Sequence, residues 1–239
     1  MSRRILANKN TAGLTPLQQA IVSAWNFEDQ VNDRVGGNDG TATSLAYSDA
    51  TYQAIGKYGV FSTSEVEIPD DDSLSFGSSP FSISFWIRFN SLSNQYIITK
   101  RNTTTGDIEY LLGLFTGDLW WRQYDGSVSN MIGQRIEWNT TNVPTTYFVN
   151  IVITHDGGNS QEGISIYQDG ALQTTTGLTG GSYSGMDNTD AKLWVGVNAD
   201  AGNGNFLGNL DELYIFNKEL DATEAQFIYD EGVAGRTLI

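Results

Sequence analysis

The sequence predicts an all-β protein folded as an antiparallel sandwich, and three observations carry that prediction. Apolar and polar residues alternate over short runs. Phe81, Ile83, Phe85, Ile87 and Phe89 interleave with Ser82, Ser84, Trp86 and Arg88, which is the period of a strand with one face in a core. Glycine is abundant at 26 residues and proline scarce at 4, a balance suited to many short strands joined by Gly, Asn and Asp turns. The length, 239 residues, allows a sizeable core, and all-β sandwiches of about 200–250 residues commonly form one domain.

Residues 1–19 read as an N-terminal arm and residues 20–239 as one domain. Within the arm, Thr15 and Pro16 supply an N-cap and a first helical position, predicting a short helix to about Ala20–Ser23. Strands begin at Ile21. Residues 147–154 are nearly continuously apolar and predict a central strand covered on both sides. Ile164, Ile166 and Tyr167 lead into Asp169-Gly170, a hairpin-turn signal. Residues 206–232 read as a strand followed by a helix, with Asp221-Ala-Thr-Glu224 as its capping box and Ala225, Ile228 and Tyr229 on its apolar side. Strict alternation in that strand puts Asp211 on one face with Leu213 and Ile215, and Glu212, Tyr214 and Phe216 on the other. An acid on an apolar face must be paired, hydrogen-bonded or bound to a cation.

Charge and composition exclude several classes of function. The formal net charge is −15, and such a surface repels phosphate backbones and anionic membranes, so no nucleic-acid partner is expected. The charge is uneven. Arg3, Arg4 and Lys9 give residues 1–20 a charge of +3, while 10 basic and 28 acidic residues give the remainder −18. Without cysteine there is no disulfide framework, thiolate nucleophile or cysteine zinc site. No apolar run approaches the ~20 residues of a membrane helix, so no membrane insertion is expected. Basic residues at the start have no apolar segment after them, which predicts no secretory signal. The sequons at Asn102 and Asn139 therefore read as chance. Asp200-Ala-Gly-Asn-Gly-Asn205 lacks the distal Glu of a calcium loop and reads as a hairpin tip.

Seven stretches in order resemble the laminin-G-like, concanavalin A-like jelly-roll family. They are Trp25-Asn-Phe-Glu28 with Asp33 and Gly37–Gly40, then Phe81–Ile87, Ile97–Lys100, Asn150–Asp156, Ile164–Gly170, Leu193–Gly196, and the closing run from Phe206 to Gly232. The resemblance implies a two-sheet antiparallel jelly roll with short terminal helices. It also implies a structural Ca²⁺ between the opening and closing segments, held by Glu28, Asp33, Asp39 and Asp211, with Glu28 standing where the family commonly has Asp. A hard cation needs 6–8 oxygens. The alternative is that Asp33 and Asp39 build Asx turns and Asp211 accepts backbone N–H bonds.

Sugar-stacking candidates are Trp120, Trp121, Tyr124, Trp138 and Tyr183, with Arg122 beside them; Trp86 and Trp194 are further aromatic candidates. Trp120 and Trp121 are adjacent in a strand and must point to opposite faces. The outward set is therefore either Trp121 with Gln123, or Trp120 with Arg122 and Tyr124. Each aromatic can equally fill the sandwich core. Related glucanases use Glu-x-Asp-x-x-Glu on one strand for a retaining mechanism, and no such run exists here. The single histidine, His155, has no placed Ser or Cys and reads as structural. The expectation is no catalytic residue and a lectin-like recognition or adhesion module. It would bind carbohydrate or a cell-surface glycan, and could sit at the surface of a bacteriophage virion as a capsid-decorating or tail-associated subunit with other virion proteins as partners. A purely structural assembly protein is the alternative, and a glycoside hydrolase the third reading.

Overall fold

The computed structural model describes residues 15–50, 54–198 and 204–239. The basic arm with Arg3, Arg4 and Lys9 lies outside the described residues, as does most of the Asp200–Asn205 tip. The described residues form two eight-stranded antiparallel sheets packed face to face. In the first, the order is β13 (Ala171–Leu172), β12 (Ile164–Gln168), β11 (Val149–His155), β6 (Phe81–Phe89), β16 (Gly208–Phe216), β4 (Lys57–Phe61) and β3 (Ala46–Asp49). β1 (Ile21–Trp25) pairs with β16 further along the edge that β4 uses. The second sheet runs β14 (Thr175–Gly180), β10 (Met131–Ile136), β9 (Asp118–Gly126), β8 (Ile108–Phe115), β7 (Gln95–Arg101), β15 (Leu193–Val195), β5 (Glu65–Ile68) and β2 (Thr41–Thr43).

Alternation decides which residues meet between the sheets. Ile83, Phe85, Ile87 and Phe89 of β6 and Ile151 and Ile153 of β11 face Leu112, Leu114, Trp121 and Ile132 of the second sheet. The two sheets differ in what covers their outer faces. A helix, α2 (Ala222–Val233), with the one-turn α1 (Pro16–Gln19) and the C-terminal residues, lies over the first sheet and packs on Val152, Tyr167, Tyr214 and Phe216. β6, β11 and β16 are therefore buried on both faces, which is why residues 149–154 are mostly apolar. Both capping boxes form: Thr15 with Gln18, and Asp221 with Glu224. α1 ends at Gln19, because Ile21 already belongs to a strand. Asp169 and Gly170, with φ of 51° and 77°, make the two-residue loop between β12 and β13, the positive-φ pair of a type I′ turn.

One expectation about faces is corrected. Along β16, Asp211 pairs with Trp86 but Tyr214 pairs with Ser84, so three steps on β16 match two on β6. The extra residue is a β-bulge with Glu212 at φ 49°. It resets the alternation, so that Leu210, Leu213 and Ile215 face the core between the sheets. Asp211 shares no face with Leu213 and Ile215. It pairs across from Trp86, whose ring stacks at 5.9 Å on Tyr229 of α2. Trp86 lies opposite Phe85 and Ile87 and is covered by the helix, with 2% of its surface exposed.

Candidate functional site

Among the described residues no helix packs on the outer face of the second sheet, and β9 presents the side chains that matter there. Trp121 and Gln123 point inward and are fully buried, so the outward set is Trp120, Arg122 and Tyr124. The register brings Arg135 of β10 beside Trp120 on one side and Gly113 of β8 on the other. Over Gly113, where a methyl group would come within 2.5 Å of its ring, lies Phe115. The Phe115 ring meets Trp120 edge-on at 6.1 Å and Tyr96 of β7 at 5.2 Å. Tyr96, Phe115 and Trp120 thus form an aromatic row across three strands. The Arg122 guanidinium stands 4.4 Å over the Trp120 ring and 5.7 Å from Phe115, and Arg135 stands 5.3 Å from Trp120. Each such cation–π contact contributes about 0.5–1 kcal/mol at an exposed site, so the half-buried indole is held in place by its neighbours. Arg135 is also tied to Glu137 at 2.8 Å.

Tyr124 sits below this surface in a small apolar cluster with Ile108 and Leu111. Burial pushes its phenol pKa up, while Arg122 and then Arg101 act in the opposite direction. The other stacking candidates lie elsewhere. Trp138 faces the core, 3% exposed, edge-on to Phe89 at 5.8 Å, with its indole N–H donated to Gln168 Oε1 at 3.1 Å. Together with Trp121 it fills space between the sheets and has almost no surface to offer a ligand. Tyr183 is half-buried, its hydroxyl 3.3 Å from the Gln123 amide nitrogen, away from Trp120. Burial raises its pKa. Trp194, also buried, has Lys192 Nζ 5.8 Å from its ring centre.

The four carboxylates of the opening and closing segments bond to backbone amides. Asp33 accepts four N–H bonds: from Ala24 and Val35 at Oδ1, and from Gly36 and Asn38 at Oδ2, all at 2.9–3.0 Å. Asp39 Oδ1 accepts from the Asp33 N–H and Glu28 Oε1 from the Lys57 N–H, both at 2.9 Å. Asp211 accepts from Ile55 at 2.8 Å and from Glu212 at 2.9 Å. Among the described residues, no group of three or more His, Asp or Glu side chains is placed to hold a metal ion. Asp211 and Glu212 are nevertheless unusual. Burial raises the Asp211 pKa, with Glu212 adding to the shift and the two amide bonds opposing it. Burial pushes Glu212 up to about 8 against the pull of Arg34.

His155 is enclosed between Phe81 and Gln123, and its Nδ1 accepts from the Gly157 N–H at 3.3 Å. Burial lowers its pKa although Asp156 opposes the shift. With 1% exposure it serves the interior. A second buried polar group had no signal in the sequence beyond its residue types. Lys100 Nζ, fully buried, contacts Asp70 Oδ1 at 2.5 Å, Glu109 Oε1 at 3.0 Å and the Ala191 carbonyl at 2.6 Å. Sequence reasoning also missed Arg135, Phe115 and Tyr96. Only strand register brings them to Trp120.

Among the described residues, no helix is long and apolar enough to cross a membrane. A comparison with curated proteins finds no match. Among solved structures, the chain is similar to the binding domain of Paraclostridial Mosquitocidal Protein 1, with a TM-score of 0.69 and 16% identity, over 90% of this chain and 53% of that one. It is similar to Domain 4 of AbnA, a GH43 extracellular arabinanase from Geobacillus stearothermophilus solved in complex with arabinotriose. There the TM-score is 0.66 and the identity 19%, over 87% of this chain and 98% of that one. The binding domain of botulinum neurotoxin serotype D gives a TM-score of 0.65 and 14% identity, over 90% and 53%. The chain thus spans about half the length of the toxin domains it matches. Two of these structures are binding domains and the third holds a bound sugar; at 14–19% identity the likeness to them is one of fold. Residues 61–226 match the family described as the concanavalin A-like lectin/glucanases superfamily, and with more than half of its length inside that match, the chain belongs to this superfamily.

Proposed function

We propose that the protein is a non-catalytic carbohydrate-recognition module that takes sugar on the outer face of its second sheet, with Trp120 as the stacking surface. The observation that carries this reading is the half-buried Trp120 ring, fixed by Arg122, Arg135 and Phe115 on a face that no helix among the described residues covers. An aromatic ring held in one orientation loses little freedom on binding, and a sugar's C–H face can lie against it. The arabinotriose complex of a similar domain supports the sugar class. Isothermal titration of the full chain against a panel of oligosaccharides tests the reading. Trp120→Ala should weaken binding at least tenfold, about 1.4 kcal/mol. An unchanged Kd moves the sugar off this face.

The charge contrast between residues 1–20 and the rest supports a second element of the proposal, a virion setting. There the basic arm meets an acidic partner surface and the sandwich meets the cell-surface glycan. Removing residues 1–14 should then leave the melting temperature unchanged and reduce incorporation into particles. Normal incorporation removes the anchoring role.

A further inference from the structure

The charge on the outer face of the second sheet says what kind of sugar would bind there, given that this face is the sugar site. Among the described residues, six of the ten lysines and arginines pair with nearby carboxylates. Lys57 pairs with Asp29, Lys192 with Glu67, Lys218 with Glu224, Arg236 with Glu231, and Arg135 with Glu137. Lys100 lies between Asp70 and Glu109. Arg88, on the first sheet, rests against the rings of Tyr58 and Phe148, and its guanidinium is within 3.1 Å of the Asn209 side chain.

Arg122 and Arg101 differ from these. Neither has a carboxylate within ion-pair distance among the described residues. Arg122 rests on Trp120 and Phe115, and Arg101 Nη1 is 3.3 Å from Asn198 Oδ1. The Nε–H groups of both are buried without an acceptor, as are those of Arg135 and the Trp120 indole. Arg122 also hydrogen-bonds the Tyr124 hydroxyl, so the terminal Nη groups are what each arginine offers an anion. The pairing of Arg101 with Ile108, and of Arg122 with Leu111, puts both on neighbouring rows of the same three strands. Both guanidiniums act on the buried Tyr124 hydroxyl, so their charges converge on one region of the face.

That convergence matters because charge is screened within about 8 Å at physiological ionic strength. At contact, an anion responds to two un-neutralised arginines rather than to the −15 of the whole chain. A guanidinium lying over an indole still presents its edge, and that edge matches a carboxylate or sulfate with paired N–H donors. We propose that the ligand of this face is an acidic oligosaccharide, with its carboxylate or sulfate taken by Arg122 and Arg101 and a sugar ring set against Trp120.

Titration of the full chain with three probes tests this: an oligogalacturonate for carboxylate, a heparin-derived oligosaccharide for sulfate, and a neutral arabino-oligosaccharide. One acidic probe should bind at least tenfold tighter than the neutral one, and its affinity should fall between 50 and 300 mM NaCl. These are design thresholds on the order of the salt effects expected for ionic contacts. Arg122→Gln should remove that preference, while Arg122→Lys should retain part of it. Near-UV circular dichroism of both variants checks that the Trp120 environment survives. Equal or tighter binding of the neutral probe, or an unchanged acidic preference in Arg122→Gln, overturns the acidic-ligand inference and leaves the sugar reading standing. Binding of none of the three by the folded chain counts against both.

Discussion

Glu212 shows how one residue couples the bulge to stability. It is 2% exposed; Oε2 accepts from the Tyr214 hydroxyl, and Oε1 has no hydrogen-bond partner. Its folded-state pKa is about 8, against an ordinary value of 4.5. Between those values the folded chain holds a proton that the unfolded chain has released, so stability falls as pH rises through that window. His155 has a lowered pKa and titrates below it, which makes pH 7–9 the cleaner interval. Urea unfolding of the full chain should show a loss of about 1 kcal/mol from pH 7 to 9. Glu212→Gln should flatten the slope. A slope unchanged in that variant assigns the pH dependence to another group. Asp33 offers a second residue-scale test. With four backbone N–H groups on one carboxylate, Asp33→Ala leaves part of the opening turn without acceptors and should cost about 2–4 kcal/mol, read as a lowered denaturation midpoint at constant m-value.

At the scale of elements, α2 is what distinguishes the two sheets. It buries Ala225, Ile228 and Gly232 against the first sheet, and Gly232 lies tight against Trp86. A methyl group added there would stand 2.3 Å from Trp86 Cζ2. Trp86→Ala should destabilise by ~3–5 kcal/mol, the cost of losing a large buried aromatic. Gly232→Ala should cost ~1–3 kcal/mol by overpacking, even though alanine favours a helix. The two changes together should cost less than their sum, because removing the indole makes room for the methyl group. A double variant whose loss equals the sum would mean that Gly232 acts through something other than Trp86. Much of this packing could be read from the sequence. The Asp221–Glu224 capping box, the alternation in β6 and the Asp169-Gly170 turn are local signals, and the structure forms each of them. The bulge in β16 escaped because it depends on pairing with β6, and nothing within residues 208–216 marks the point where one residue is left over.

The whole molecule is a sandwich with a helix over one sheet and, among the described residues, none over the other, carrying a net charge of −15. Like charges on a compact body repel, and salt screens that repulsion. The melting temperature should therefore rise between 10 and 300 mM NaCl, concentrations on the order of those that shorten the screening length from ~30 Å to under ~8 Å, while acidic-sugar binding weakens over a similar range. Opposite salt responses of stability and binding would separate the global charge from the local one at Arg122 and Arg101. A fall in both would remove that distinction.

The sequence by itself determined the fold class, the absence of the glucanase carboxylate motif, the two helix caps and the fact that Trp120 and Trp121 face opposite ways. Those properties follow from periodicity and residue chemistry over a few neighbours. Only the tertiary structure decided that Trp120 is the outward one, that Trp138 belongs to the core, and that Asp33 is saturated by backbone amides. It also brought Arg135 and Phe115, from separate strands, to the same indole. Period-2 alternation tells which residues share a face but not which face is buried; that depends on which strands pair and what packs against the sheet.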